Sequence, residues 1–477
     1  MATALPRRRA LANLILSLSS NTHYDSIAEL SLNPVYQHQY ASLYDVFDEL
    51  SKDEESFSCL QKLVSQFVFK ELGQIVKGIG DSSLPLVVST DVTPCEYTHA
   101  QSLPDRQAIV LPNGAGQSRT NLGVGYNLSS LNLSSFSGSW SLPLDLRRVR
   151  LDQTASQCAQ EQLTGLLSDH EGIIDNTRLV IHCADSAYGN SAFLAQPYKD
   201  HPNLVNIVRL KHGSKVFKQY ERTASSNPLQ YFGEQSYLIM DSDTKSYKQK
   251  NSKQFYDVER KAISETQADE SIVVEEIMGR QSRPVMVTIE RWNNYLLRSK
   301  SGQSMKEHPI DLLRIRCIDK STGKPVFKRE LYLAISGERK TEVSSIMGRQ
   351  YYRSRQDIEA FFRTAKQHFL LTRFATSVQQ HLDNFLQVVI LASYVAFLNA
   401  DQVDNQPIHP WERYQPKKKK INGRVTMTQS IRKAQAYYCT LDLSDLSPPK
   451  SKGGIGRQKG HQLTPKTTYK VARKPKK

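Results

Sequence analysis

Two short apolar runs, each closed by an aspartate, constrain this chain more than any other feature. Leu84 to Thr90 carries two valines and ends at Asp91, and Arg178 to Cys183 repeats the pattern and ends at Ala184-Asp185. Runs of that length and texture are buried strands of a layered sheet. Further β-like runs lie at Asn121–Leu128, Trp140–Val149 and Leu204–Leu210, with helical patterns at Gln153–Leu167 and Ser191–Tyr198. That order of strands and helices predicts an α/β domain.

A carboxylate at the carboxyl end of a buried strand is rigidly held and faces the rim of the sheet, where α/β proteins place their sites. A single strand-ending Asp is more often a turn or cap residue. Two of them on strands of one sheet repel each other unless a cation binds between them. Oxygen-only donors suit hard divalent cations.

The rest of the chain arranges itself around this core. Residues 1–80 have helical periodicity, with Leu43, Val46, Phe47 and Leu50 and then Leu60, Leu63, Val64, Phe67 and Val68 at three- and four-residue steps. They read as a helical N-terminal domain that opens on Arg7, Arg8 and Arg9. Residues 81–217 read as the first part of the α/β core. Residues 218–330 are polar and turn-rich and predict a β-rich insertion, including Val285–Ile289, Asp311–Ile318 and a turn at Ser321-Thr322-Gly323-Lys324. Residues 331–400 read as the second part of the core, with a strand at Leu331–Ile335 and helices at Arg353–Phe374 and Leu382–Leu398. Residues 401–477 form a basic C-terminal region with four lysines at Lys417–Lys420 and no acid after Asp445, which reads as a flexible cationic tail.

Composition narrows the partner. Lys and Arg number 63 against 47 Asp and Glu, a net charge of +16 in 477 residues. That excess favours nucleic acid ahead of an anionic membrane surface, and no basic amphipathic helix supports the latter. The six cysteines form no C-x-x-C pair, which fits a reducing intracellular setting. No apolar run reaches the roughly 18 residues of a membrane span. Arg7-Arg8-Arg9 and the stretch after it have the outline of a leader peptide without a convincing cleavage site, and read better as a first helix.

The third element is Tyr351 to Lys366. At about 100° per residue, Tyr352, Arg355, Glu359 and Lys366 fall within roughly 60° of one another on a helix, with Ile358, Phe361, Phe362, Ala365 and Phe369 on the other side. By spacing alone this is also an exposed face with intrahelical ion pairs. The spacing Tyr352-x2-Arg355-x3-Glu359-x6-Lys366, however, resembles the Tyr-Arg-Glu-Lys signature of bacterial insertion-sequence transposases, the DDE enzymes of the insertion-sequence-four type. Asp91 and Asp185-Ser186-Ala187-Tyr188 are similar to that family's two other acid motifs. The resemblance spans Leu84 to Leu398, about two-thirds of the chain.

The resemblance implies an RNase H-like catalytic domain interrupted by a β-rich insertion, and cut-and-paste transposition through cleavage and strand transfer. It implies two Mg²⁺ ions, with Mn²⁺ as a substitute, bridged by Asp91 and each held by Asp185 or Glu359. Arg355, Lys366 and Tyr352 would hold phosphates, and the helical N-terminal domain would bind DNA at the transposon end, with Arg7, Arg8 and Arg9 as phosphate contacts. Trp292, the one tryptophan of the insertion, is the candidate for stacking a flipped base, beside the plain alternative of a packed core residue. The implied partners are double-stranded DNA, as transposon-end inverted repeats and target, and a second subunit in a synaptic homodimer. The implied setting is the bacterial cytoplasm, at the nucleoid. Two rivals share these residues: a structure-specific nuclease of the same fold, and a domesticated transposase-derived DNA-binding protein. His182-Cys183 beside Asp185 could suggest a transition-metal site, but strand alternation sends the two side chains to opposite faces and favours a packed strand.

Overall fold

The computed structural model describes residues 7–79, 84–112, 121–134, 140–168, 174, 177–198, 201–220, 231–248, 255–279, 282–298, 305–403, 425–440 and 467–472. They belong to two compact units. One comprises Met1–Gly80, Asp91–Ile173 and Gln356–Lys477, and the other Asp81–Thr90 with Ile174–Arg355.

The second unit is built on a mixed sheet. Strand β1 (Leu86–Glu96) contributes its first five residues, which run parallel to β5 (Val180–Ala184) in the register Leu86↔Val180 to Thr90↔Ala184. β5 runs parallel to β6 (Leu204–Arg209). Pairing then turns antiparallel through β14 (Leu331–Ser336), β13 (Ile310–Asp319) and β12 (Arg283–Leu296). β12 also pairs with β11 (Glu270–Met278) and with β7 (Lys215–Gln219), which carries β8 (Phe232–Tyr237). β9 (Asp243–Lys248) and β10 (Phe255–Arg260) form a separate two-stranded ribbon. Alternate residues of adjacent strands make the core: Ile181 and Cys183, Val205 and Ile207, Leu333 and Ile335 share one face. Tyr352 and Met347 of α6 (Ser345–Ser354) pack onto that face.

The first unit holds the N-terminal helices α1 (Arg8–Ser19), α2 (Ala41–Leu50) and α3 (Glu54–Ile79). It also holds the antiparallel strands β2 (Gln107–Leu111), β3 (Asn121–Ser134) and β4 (Leu142–Arg148), and α4 (Ala155–Ser168). The end of β1 lies beside β3: Tyr97 N–H donates to Val124 O at 2.8 Å, and any Cβ at Gly125 would collide with the Cys95 carbonyl. Its centre is α8 (Gln379–Gln402), with α7 (Gln356–Gln367) and α9 (Met427–Tyr438). α8 is long and apolar enough to cross a membrane, yet most of its apolar window is buried, against α1, α2, α3, β4 and α9. A bidentate pair, Arg148 Nε and Nη2 to the Asp383 carboxylate at 2.6 and 2.7 Å, ties β4 to it.

Four expectations are corrected by these observations. β1 does not end at Asp91 but continues to Glu96, because the strand changes neighbours instead of turning. Residues 218–330 are not a body apart: β12 and β13 extend the core sheet through ladder hydrogen bonds to β14. The region after Pro410 contains a helix, α9, started by a capping box in which Thr426 and Gln429 exchange hydrogen bonds. The tail is tethered over residues 467–472, where Tyr469 N–H donates to Gln101 O at 2.9 Å, Ala472 N–H to Arg106 O at 2.7 Å, and Arg106 Nη2 to Tyr469 O at 3.1 Å. Lys470 is exposed on that stretch, while Lys417–Lys420 and the remaining tail cations lie outside the described residues.

Candidate active site

The two aspartates are placed by the β1–β5 ladder. Its last pair is Thr90↔Ala184, and Asp91 and Asp185 are each the next residue along the chain. Asp91 Oδ1 accepts its neighbour's amide, Val92 N–H, at 2.8 Å. Asp185 Oδ1 accepts Ala187 N–H at 2.7 Å, the Asx turn that carries the chain into Asn190, whose side chain caps α5 (Ser191–Ala195). Both aspartates are half-buried.

The predicted single helix over Arg353–Phe374 is two helices, α6 and α7, that meet at Arg355. In a continuous helix the Tyr351 carbonyl would accept from Arg355 N–H. Here that carbonyl accepts the Ser354 hydroxyl at 2.7 Å and the Cys183 thiol at 3.3 Å. Arg355 N–H turns to Tyr352 O instead, at 3.2 Å. Tyr352 therefore ends one helix, Glu359 and Lys366 lie on the next, and Arg355 is the joint.

Within the second unit, Asp185, Tyr352 and Arg355 come together. The Arg355 guanidinium carbon lies 5.8 Å from the Tyr352 ring centroid. Burial pushes the Tyr352 phenol above its ordinary value, nearby Arg355 and Arg209 oppose that, and the charge of Asp185 adds to it. Arg209, the last residue of β6, is a member of this group that the sequence reading missed. Its one legible signal is its place at the end of the strand beside β5. Within the first unit, Lys366 and Asp91 are neighbours: burial lowers the Lys366 ammonium, and Cys95 and Asp91 raise it. Glu359 is exposed on the first turn of α7, a position that favours an acid. Among the described residues no group of three or more His, Cys, Asp or Glu side chains is gathered as a ready metal centre.

The remaining candidates fall elsewhere. Trp292 is 2% exposed, and its indole N–H donates to Thr266 O at 3.1 Å. It is a packed core residue, and no base can stack on it in this structure. Arg7 pairs with Asp45 at 3.0 Å, and Arg8 and Arg9 stand exposed at the start of α1.

His182 and Cys183 do point to opposite faces. Cys183 sits in the core under α6, and burial pushes its thiol far up. His182 is fully buried on the other side, and burial pulls its imidazole from 6.5 down to about 4. Such a group keeps its proton less readily when folded. Its contribution to stability is complete above the unfolded value of 6.5 and is lost as pH falls toward 4. The chain is therefore expected to lose about 2 kcal/mol more stability than a His182→Gln variant between pH 7 and pH 5. Urea titrations of both at the two pH values check this, and equal losses would refute it.

No family model and no curated protein matches the sequence. Among solved structures the chain is similar to a piggyBac transposase in a synaptic complex with hairpin DNA, studied by cryo-electron microscopy. The identity is 9%, over 93% of this chain and 72% of that one, with a TM-score of 0.36.

Proposed function

We propose that the chain is a DDE-type DNA transposase that cleaves DNA phosphodiester bonds and joins the resulting 3′-OH to target DNA. The observation that carries this reading is the β1–β5 register, which makes Asp91 and Asp185 the successors of a paired couple on parallel neighbours. The Tyr352–Lys366 segment adds the third acid and the cations. The connectivity supports an RNase H-like core: β1, β5 and β6 are parallel, and the continuation of β1 lies beside the antiparallel β3 and β4.

The donor chemistry fits a hard cation. Asp185 Oδ1 takes an amide while its Oδ2 accepts no hydrogen bond among the described residues. Asp91, Asp185 and Glu359 would hold Mg²⁺ through oxygen alone. Two such ions would supply a polarised nucleophile, a stabilised leaving oxygen and charge neutralisation at the phosphate. The protein's own part is binding and orientation. Arg355, steadied on the Tyr352 ring, presents a fork of donors to phosphate oxygens. Lys366 adds a point charge beside Asp91, and the Tyr352 phenol remains protonated and able to donate. Arg209 lies in reach of the same group.

The test uses the full-length protein, Mg²⁺ and linear DNA carrying the ends of its own element, with and without Glu359→Ala. End-specific nicking followed by joining, both absent from the variant, is the expected result. Cleavage without end preference or joining would replace this reading with that of a nuclease. End-specific binding without any cut, the same in both proteins, would leave a DNA-binding protein.

A further inference from the structure

The chemistry above makes no use of His182, although both ring nitrogens are committed. Nε2 lies 2.8 Å from Thr90 Oγ1, and Nδ1 lies 3.1 Å from Asn206 Oδ1. Asn206 Nδ2 donates to Phe193 O at 3.1 Å, which fixes Oδ1 as the acceptor. The neutral ring then carries its proton on Nδ1, and the Thr90 hydroxyl donates to the lone pair of Nε2. One orientation of the Asn206 amide thus dictates the imidazole tautomer and the threonine rotor. The Phe193 ring leans on the imidazole at 5.4 Å, and the Phe193 backbone N–H donates to Asn190 Oδ1, the cap of α5, at 3.0 Å.

This relay crosses β1, β5, β6 and α5 in one line. It lies on the face opposite Ile181 and Cys183, which pack under α6. It grips β1 at Thr90, immediately before Asp91, and β5 three residues before Asp185. Apolar side chains would hold the three strands together without directional constraint. Two cross-strand hydrogen bonds of fixed polarity also fix the register, and a slip of one residue would send every side chain to the other face.

We propose that His182, with Thr90 and Asn206, is a positioning group that fixes β5 against β1 and β6 from behind the sheet, so that Asp185, three residues further on, presents its carboxylate to a cation. The inference rests on the reading of Asp185 as a metal ligand. Groups that orient ligands from behind typically change metal affinity by ten- to a hundredfold when removed.

The test measures Mn²⁺ binding to the folded full-length protein by calorimetry, and the Mg²⁺ concentration for half-maximal DNA cleavage. Thr90→Val keeps the volume and strand preference but removes the hydroxyl, while Thr90→Ser keeps the hydroxyl. The Val variant is expected to weaken Mn²⁺ and shift the Mg²⁺ midpoint by about tenfold, and the Ser variant to stay within about twofold of the parent. His182→Gln, with a donor and an acceptor, is expected to fall between them. Parent-like Mn²⁺ affinity in Thr90→Val, with binding lost in Asp185→Asn, would overturn the relay and leave the ligand reading intact. A folded parent that takes up no Mn²⁺ would overturn both. Loss of binding in the Val and Ser variants alike, in proportion to the unfolded fraction, would reduce the relay to ordinary packing.

Discussion

Asp185→Asn is expected to slow Mg²⁺-dependent DNA cleavage by at least about a thousandfold while DNA binding stays within about threefold. A thousandfold is about 4 kcal/mol at the transition state. The size follows from what the substitution removes. The side chain stands at the end of β5, whose five residues are all buried, so the position is rigid. Asparagine has the same shape, and its oxygen can still accept Ala187 N–H, so the turn into α5 survives. What disappears is one negative charge where a divalent cation is proposed to sit. Gel-based cleavage rates at saturating DNA, beside binding measured in the absence of metal, separate the two effects. A rate within tenfold of the parent would remove Asp185 from the catalytic set.

Asp311→Ala is expected to destabilise the second unit by about 3–5 kcal/mol. Asp311 is 1% exposed and answers three donors: Arg291 Nη2 at 2.5 Å, Lys340 Nζ at 2.8 Å and Asn294 N–H at 3.1 Å. Arg291 and Lys340 are themselves buried and also bond Val343 O and Pro309 O, at 2.7 and 3.1 Å. Removing the carboxylate strands two cations away from water, and the loss of their partner costs far more than the pair contributes relative to an apolar replacement. The exposed pair Lys320–Glu275, at 2.8 Å, supplies the control, since Glu275→Ala should cost well under 1 kcal/mol. Urea unfolding monitored by the fluorescence of Trp292, which lies in the same unit, reads both variants. A cost below about 1 kcal/mol for Asp311→Ala would show that the network relaxes or admits water.

Much of the candidate site was legible because its signals are local. Strand texture followed by an acid marks Asp91 and Asp185 whatever surrounds them. The spacing from Tyr352 to Lys366 is likewise a property of a few turns. Arg209 was not legible, since nothing local distinguishes an arginine at a strand end until β6 lies against β5. The break at Arg355 was hidden for a similar reason. It depends on the Cys183 thiol reaching the Tyr351 carbonyl across 168 residues of sequence. Trp292 illustrates the reverse case: an isolated aromatic in a polar region invites a surface role, and only the packing of β12 shows it to be interior.

The pentapeptide Ile-Met-Gly-Arg-Gln occurs twice and separates the two kinds of information. At Ile277 its first residues close strand β11, and at Ile346 they lie inside helix α6. The same side chains with the same propensities adopt either state, because the flanking segments and the partner surfaces differ. Sequence by itself determined where strands carry acids and which faces are apolar, since those follow from periodicity. Tertiary structure decided that the expected insertion is part of the core sheet, that His182 is a fixed relay, and that Asp311 anchors two buried cations. Those outcomes depend on hydrogen bonds between residues far apart in the chain, and on a desolvation cost that exists only once the sheet has closed over them.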